Sequence, residues 1–378
     1  MKKVTVWGTS FKKVADEAQL LAHYKLIKTI CPDADVTFIA RTHGKVQERF
    51  PGINIVPFAH VRQALTRLLG SDLLVISGGP FFESLEQMTK CALLIFSARL
   101  FKIPVLVYGV TVFPIKLWWA RLGYRWILNG VNAIHVRDHV AARALSDIGL
   151  DPSRIHTGSD PRLILDPDAE DHIRSILAAE GILPPFIALT TRYIHPEIPG
   201  WVKRAHGFEK DAVGTSNSTM ARVVNYLTRF GTVVLIPMHP DMSEDLKTAE
   251  EIRRHMQNPG MLKVLGRRYL ASEVLGILQA SEMLFAGRLG SALFCSMTGT
   301  PVMAVAYEDR MTEVMDDLGL GDYVFDWRSL DYEKMIFQAD RLYATRTDIS
   351  KLLTERADGM CRKAWQDSGI YKNFLKDI

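Results

Sequence analysis

Leu284-Phe285-Ala286-Gly287-Arg288-Leu289-Gly290-Ser291-Ala292-Leu293 decides how this chain reads. Residues 283–286 form a short apolar run of strand length. From Leu289 the spacing turns helical, with Leu289, Leu293, Phe294 and Met297 on one side. Gly299-Thr300-Pro301 stops that helix, and residues 302–306 read as the next buried strand. Gly287-Arg288 is therefore a strand-to-helix turn at the carboxyl end of a strand. Open α/β sheets bind ligands there, and the free N–H groups of a helix start attract anions. Arg288 adds a permanent cation whose flat fork matches a carboxylate or phosphate. The plain structural alternative is a surface ion pair on an ordinary turn.

Outward from that stretch, strand and helix alternate. Apolar runs at 4–7, 36–39, 54–56, 73–76, 105–107, 133–136 and 155–157 are separated by helical patterns. Runs without polar interruption, such as Leu73-Leu74-Val75-Ile76, indicate a parallel sheet covered on both faces. Asp166-Pro167-Asp168 and Pro184-Pro185 bracket a short helix and mark an exposed connection. Strands at 186–190, 232–237, 283–286 and 302–306 then build a second unit of the same kind. The expectation is two doubly wound α/β domains, 1–165 and 166–345, followed by an amphipathic helical segment over 346–378.

Composition limits the function classes. With 378 residues, 48% hydrophobic and 23% charged, the chain can bury two sizeable cores. A net charge of +4 suits an anionic substrate or an acidic membrane surface and is too small to argue for nucleic acid. Cys31, Cys91, Cys295 and Cys361 are scattered, without metal-ligand spacing, and read as thiols in a reducing compartment. No metal site and no cofactor is expected. The first residues enter a strand directly, with no signal-peptide pattern, so a cytoplasmic protein is expected.

Three turns of the first domain carry candidate chemistry. In residues 8–17, Asp16 is placed either to take a proton from a hydroxyl or to cap the following helix. In Ser77-Gly78-Gly79-Pro80-Phe81-Phe82-Glu83, the paired glycines let a ligand approach the backbone, and Glu83 is a second carboxylate. The third turn leads into residues 115–126, where Trp118, Trp119 and Trp126 mix with Lys116, Arg121 and Arg125. That helix suits peripheral contact with a membrane, or else a core position with a basic outer edge. Arg137-Asp138 reads as a helix cap with a neighbouring ion pair. The irregular stretch 194–217 carries His195, Lys203, Arg204, His206 and Lys210, suited to an anionic acceptor or to plain solvation.

Arg288-Leu289, the apolar helix after them, Gly299-Thr300-Pro301-Val302 and the run to Asp317-Leu318-Gly319 resemble the C-terminal signature of polysaccharide pyruvyltransferases. The resemblance implies a GT-B-like fold, two Rossmann-type domains facing a cleft. The first would hold the acceptor and the second the donor, with the C-terminal helix packing back on the first. It implies transfer of pyruvate from phosphoenolpyruvate, a co-substrate, to hydroxyls of a saccharide, leaving a ketal. Donor contacts would come from Arg192, Arg288, Leu289, Gly290 and Ser291. Acceptor contacts would come from Gly78, Gly79, Glu17 and Asp160. Asp16-Glu17 match the family's opening loop, in which Ala15 replaces a glycine.

One departure matters. The family motif reads Arg-Leu-His, and here the third position is Gly290. His239, at the end of the strand over 232–237, is the substitute proton donor that the sequence offers, beside Asp16 and Glu83 as catalytic carboxylates. The expected partner is a sugar of a cell-surface polysaccharide or its lipid-linked precursor, met at the inner face of the plasma membrane. The alternatives are a GT-B glycosyltransferase using a nucleotide sugar, and a binding homologue that has lost catalysis with the histidine.

Overall fold

The computed structural model describes residues 1–11, 13–41, 50, 52–78, 85–112, 115, 117–192, 210–239, 242–307 and 309–375. The chain divides into two compact units, one of residues 1–165 with 360–378, the other of residues 166–359.

Unit 1 holds strands β1 (Lys3–Ser10), β2 (Asp35–Arg41), β3 (Asn54–Pro57), β4 (Leu73–Ile76), β5 (Val105–Val110), β6 (Ala133–Val136) and β7 (Ile155–Thr157). All pair in parallel, in the order β3-β2-β1-β4-β5-β6-β7. Every residue of β4 and β5 is buried, as strands covered on both faces require. Helices α1 (Val14–Ile30), α2 (Val61–Leu69), α3 (Leu85–Leu100), α4 (Trp118–Leu128) and α5 (His139–Asp147) make the crossovers. Helices α2 to α5 cover one face, where Leu68, Leu94, Ile127 and Leu145 meet Leu74, Val107 and Ile134. Asp138 caps α5 by accepting the Ala141 N–H at 2.6 Å.

Unit 2 repeats the plan. Its parallel sheet runs β10 (Leu262–Val264), β9 (Thr232–Leu235), β8 (Phe186–Thr190), β11 (Met283–Ala286), β12 (Val302–Ala306), β13 (Val324–Asp326). The helices are α6 (Glu170–Ala179), α7 (Lys210–Leu227), α8 (Ser243–Arg254), α9 (Ala271–Gln279), α10 (Leu289–Thr298), α11 (Asp309–Asp317) and α12 (Tyr332–Ala344). Helix α10 stops where Gly299 takes φ +68°, a left-handed C-cap that spares it a Cβ only 2.7 Å from Thr354 Oγ1.

Helix α13 (Arg346–Asp367) belongs to both units. Its first part lies in unit 2, where Arg346 donates to Glu282 at 2.7 Å. From Met360 the chain is in unit 1, where α14 (Gly369–Leu375) buries Tyr371 and Leu375. The return to unit 1 thus begins inside α13, at 360 rather than 346.

In each sheet the strand order reverses once, between β1 and β4 in unit 1 and between β8 and β11 in unit 2. Crossovers on either side of such a point leave on opposite faces, which opens a crevice at the strands' carboxyl ends. Asp16 and Gly78 follow β1 and β4; Arg192 and Arg288 follow β8 and β11.

Candidate active site

The unit 2 switch point is built by close backbone approach. Gly287 N–H donates to Thr190 O at 2.7 Å, and a Cβ on Gly287 would lie 2.8 Å from that oxygen and 3.1 Å from Arg192 N. Only glycine allows β8 and β11 to leave the sheet this close together. Arg288 then occupies the N-cap position of α10 in extended backbone. The N–H groups of Leu289 and Gly290, in the first helical turn, have no helical carbonyl to reach. Ser291 is different. Its hydroxyl donates to Arg288 O at 2.7 Å and pairs with Thr190 Oγ1 at 2.7 Å, fully buried. As a side chain it bolts the helix start to β8.

The Arg288 guanidinium is held from two sides. Its Nε donates to Thr191 O at 2.6 Å and its Nη2 to Asp245 Oδ1 at 3.1 Å. Asp245, 1% exposed in the first turn of α8, also accepts the backbone N–H groups of Met238 and His239 at 3.1 and 3.2 Å. One carboxylate therefore fixes both the β9 exit and the arginine. The Nη1 edge of Arg288 is engaged by no described residue, and the side chain is 19% exposed. Arg192 is exposed beside it. Thr191, by contrast, is buried, and its hydroxyl has no hydrogen-bond partner among the described residues.

Tyr307 completes the row. It follows β12, as Arg288 follows β11, and its ring stacks on Trp327 with centroids 6.0 Å apart. Burial pushes its hydroxyl up to about 12, against the opposing pull of Arg192 and Arg288. The phenol therefore keeps its proton through the whole physiological range. His239, Arg192, Arg288 and Tyr307 stand at the exits of four neighbouring strands. The arrangement presents two cations, an open helix start and a protonated phenol, which suits a small polyanion. Among the described residues, no cluster of three His, Cys, Asp or Glu side chains is arranged to hold a metal.

In unit 1 several expectations change. Lys13 is the N-cap residue of α1, so Asp16 lies inside the first turn rather than capping it. There its charge acts on Arg162. Glu17 is fully buried, so its carboxylate is sheltered from any acceptor sugar. Asp160 is likewise committed: Arg137 donates to it at 2.8 Å and Arg162 at 2.7 and 2.9 Å. Burial would raise the Asp160 carboxyl, but Arg162 and Arg137 outweigh it and hold it well below the usual range. These contacts make Asp160 part of the scaffold. Gly78 is buried with φ +145°, a conformation reserved for glycine. Gly79, Glu83, Lys116, His195, Lys203, Arg204 and His206 lie outside the described residues.

Behind the unit 1 switch point is a buried polar cluster that the sequence did not announce. His23 hydrogen-bonds Ser77 Oγ and Tyr371 Oη, each at 2.5 Å. Burial, with His135 and Arg137 adding to it and Asp160 opposing, pulls the imidazole down to about 3. His135 stacks on Tyr108 at 4.2 Å, and its Nε2 lies 4.0 Å from Asp367, which accepts the Ser159 N–H at 2.6 Å.

Two Rossmann-like units with candidate ligand groups at the carboxyl ends of their strands define a GT-B-type protein. The putative UDP-N-acetylglucosamine 2-epimerase of Listeria monocytogenes shares this fold: TM-score 0.64, 13% identity, covering 100% of this chain and 98% of that one. So does Anabaena HepE in complex with UDP, with TM-score 0.61, 10% identity and full coverage of both chains. The family model for polysaccharide pyruvyl transferases matches residues 16–309, and the chain belongs to that family. It is 24% identical over 290 residues to the amylovoran biosynthesis protein AmsJ of Erwinia amylovora. That match covers 73% of this chain and spans 66% of AmsJ, just under two thirds of its length.

Proposed function

We propose that this protein transfers the pyruvyl group of phosphoenolpyruvate to a saccharide destined for a cell-surface polysaccharide, forming a ketal. The observation that carries this reading is that Arg192 and Arg288 follow the adjacent strands β8 and β11 at the unit 2 switch point, beside the open start of α10. Phosphoenolpyruvate presents a carboxylate and a phosphate on three carbons. The two guanidinium groups and the free N–H groups of Leu289 and Gly290 complement that charge.

Chemistry then needs one proton delivered to the methylene carbon as a sugar hydroxyl adds to the central carbon. Phosphate leaves with the electrons of its bond to that carbon. A second hydroxyl closes the ring, and both hydroxyl protons pass to bases or water. Gly290 cannot deliver the first proton. Among the described residues at this row of strand exits, His239 and Tyr307 can, and each would contribute about 10²–10⁴-fold. Unit 1 would take the saccharide, with Asp16 as a candidate base.

The test is to supply phosphoenolpyruvate with a panel of polysaccharide repeat units, free and lipid-linked. Phosphate release that depends on a saccharide, with a pyruvyl ketal detected on the sugar by mass spectrometry, is the expected result. Sugar transfer from a nucleotide sugar, with no phosphate released from phosphoenolpyruvate, would replace this reading by glycosyl transfer. Donor binding without turnover on any acceptor would mark a non-catalytic homologue.

A further inference from the structure

Helices α3 and α4 lie side by side on unit 1, with Met88 Sδ only 3.9 Å from where a Cβ on Gly123 would stand. Their inner faces bury Leu94, Ile95, Ala98, Tyr124, Ile127 and Leu128 in one core. Their outer faces are not polar, as a solvated face would be. On α3, Leu93, Phe96 and Leu100 follow one another at helical spacing and are exposed. On α4, Trp118, Trp119, Leu122 and Trp126 do the same. Trp118 is 73% exposed, Leu100 67% and Trp126 63%. Burying even one indole saves considerable free energy, so three large ones left in water on adjacent helices mark a surface that meets something.

The charge says what. Residues 87–137 contain no Asp or Glu, although 42 of the 378 residues are acidic. They do contain Arg99, Lys102, Arg121 and Arg125, none with an ion-pair partner among the described residues. Arg121 donates only to the backbone carbonyl of Asp147. The neighbouring α2 continues the pattern, with Arg62 and Arg67 and no acid over its length. A second copy of this face would set cations against cations, which disfavours self-association through it. An anionic bilayer surface fits both properties at once. Indole rings settle at the boundary between headgroups and hydrocarbon, and arginine and lysine reach the lipid phosphates. No described helix is long and apolar enough to cross a membrane, so the contact is with the surface.

We propose that the outer faces of α3 and α4 form a docking surface for an anionic lipid membrane. This inference is independent of the donor chemistry, because its test reads binding alone. The full chain is sedimented with phosphatidylcholine vesicles and with vesicles containing one third phosphatidylglycerol. Binding to the anionic vesicles, weakened by salt, is expected, with a blue shift of tryptophan fluorescence. Trp118→Ser with Trp126→Ser changes only exposed side chains and should lower vesicle affinity roughly tenfold or more while leaving the melting temperature unchanged. Arg99→Gln with Lys102→Gln should remove the preference for anionic lipid. Absence of binding to either vesicle, or binding untouched by both variants, overturns the proposal. So does a wild-type dimer, seen by light scattering, that the tryptophan variant dissociates.

Discussion

Asp245 grips Arg288 at 3.1 Å and, through its other oxygen, the N–H groups of Met238 and His239. It is 1% exposed. A buried carboxylate is stable only with such a full set of donors. The site is therefore assembled around an acid of α8 that never needs to touch the donor. Asp245→Asn keeps the shape but places an amide N–H against one of these donors. Phosphoenolpyruvate affinity should fall roughly tenfold, and unfolding free energy by about 1–3 kcal/mol. Calorimetric titration and urea unfolding check both; unchanged affinity would detach Asp245 from the donor site.

Arg288→Lys should do more damage to binding. The native fork spends Nε on Thr191 O and Nη2 on Asp245, and still offers Nη1. One ammonium on a flexible stem cannot hold all three directions. Donor affinity should drop by roughly a hundredfold, about 2.7 kcal/mol. Titration with phosphoenolpyruvate measures it directly, and a lysine variant that binds within a few fold of the native protein would refute the assignment.

The central strands and the Arg288 turn were legible because their signals are local. Strands such as Met283–Ala286 are apolar throughout, since neighbours cover both faces, and the switch to helical spacing at Leu289 is abrupt. The three-residue edge strands at Leu262–Val264 and Val324–Asp326 carry too little pattern to stand out. Asp245 and Tyr307 were missed for another reason. An acid in the first turn of a helix reads as ordinary dipole compensation, and a tyrosine after a strand reads as packing. Their meaning comes from pairings with residues 43 positions away, as for Asp245 and Arg288, which no spacing rule encodes. For Asp160 the resemblance implied an acceptor contact, and nothing in the sequence marked Arg137 and Arg162 as its partners.

Gly287→Ala tests the backbone geometry. The added methyl would sit 2.8 Å from Thr190 O, an atom held by the sheet itself. Relief requires β8 and β11 to separate at their exits, at a cost of about 1–3 kcal/mol. A lower melting temperature with weakened donor binding is expected. A variant as stable as the native protein would show that the two exits tolerate separation.

The buried imidazole of His23 predicts a pH dependence. Its folded-state value, about 3, lies below the ordinary 6.5. Between these values the unfolded chain binds a proton that the folded one refuses. Stability is thus complete above about pH 6.5 and declines as pH falls, by up to about 1.4 kcal/mol per pH unit. Urea unfolding of unit 1 at pH 7.5 and pH 5 should show this slope, and His23→Gln should flatten it. Carboxylates such as Asp160, with depressed values, lose their stabilising charge only at still lower pH, so they leave this window clear. An equal slope in both proteins would remove His23 as its source.

The proton donor is decided by two variants read side by side. Tyr307→Phe removes one oxygen and leaves the stack on Trp327, while His239→Ala leaves the backbone N–H on Asp245. A group that protonates the methylene carbon acts in the transition state and not in the ground state. Its loss should lower kcat by about 10²–10⁴-fold with little change in KM. We expect this signature from one of the two and a change within a few fold from the other. Burial already holds the phenol protonated to about pH 12, so Tyr307 can keep a proton ready throughout the working range. Its neighbours Arg192 and Arg288 also favour the phenolate that remains after transfer. If both variants raise KM while kcat stands, neither residue moves the proton, and the donor is another group, such as a histidine of the 194–217 stretch, a residue of unit 1 or the saccharide itself.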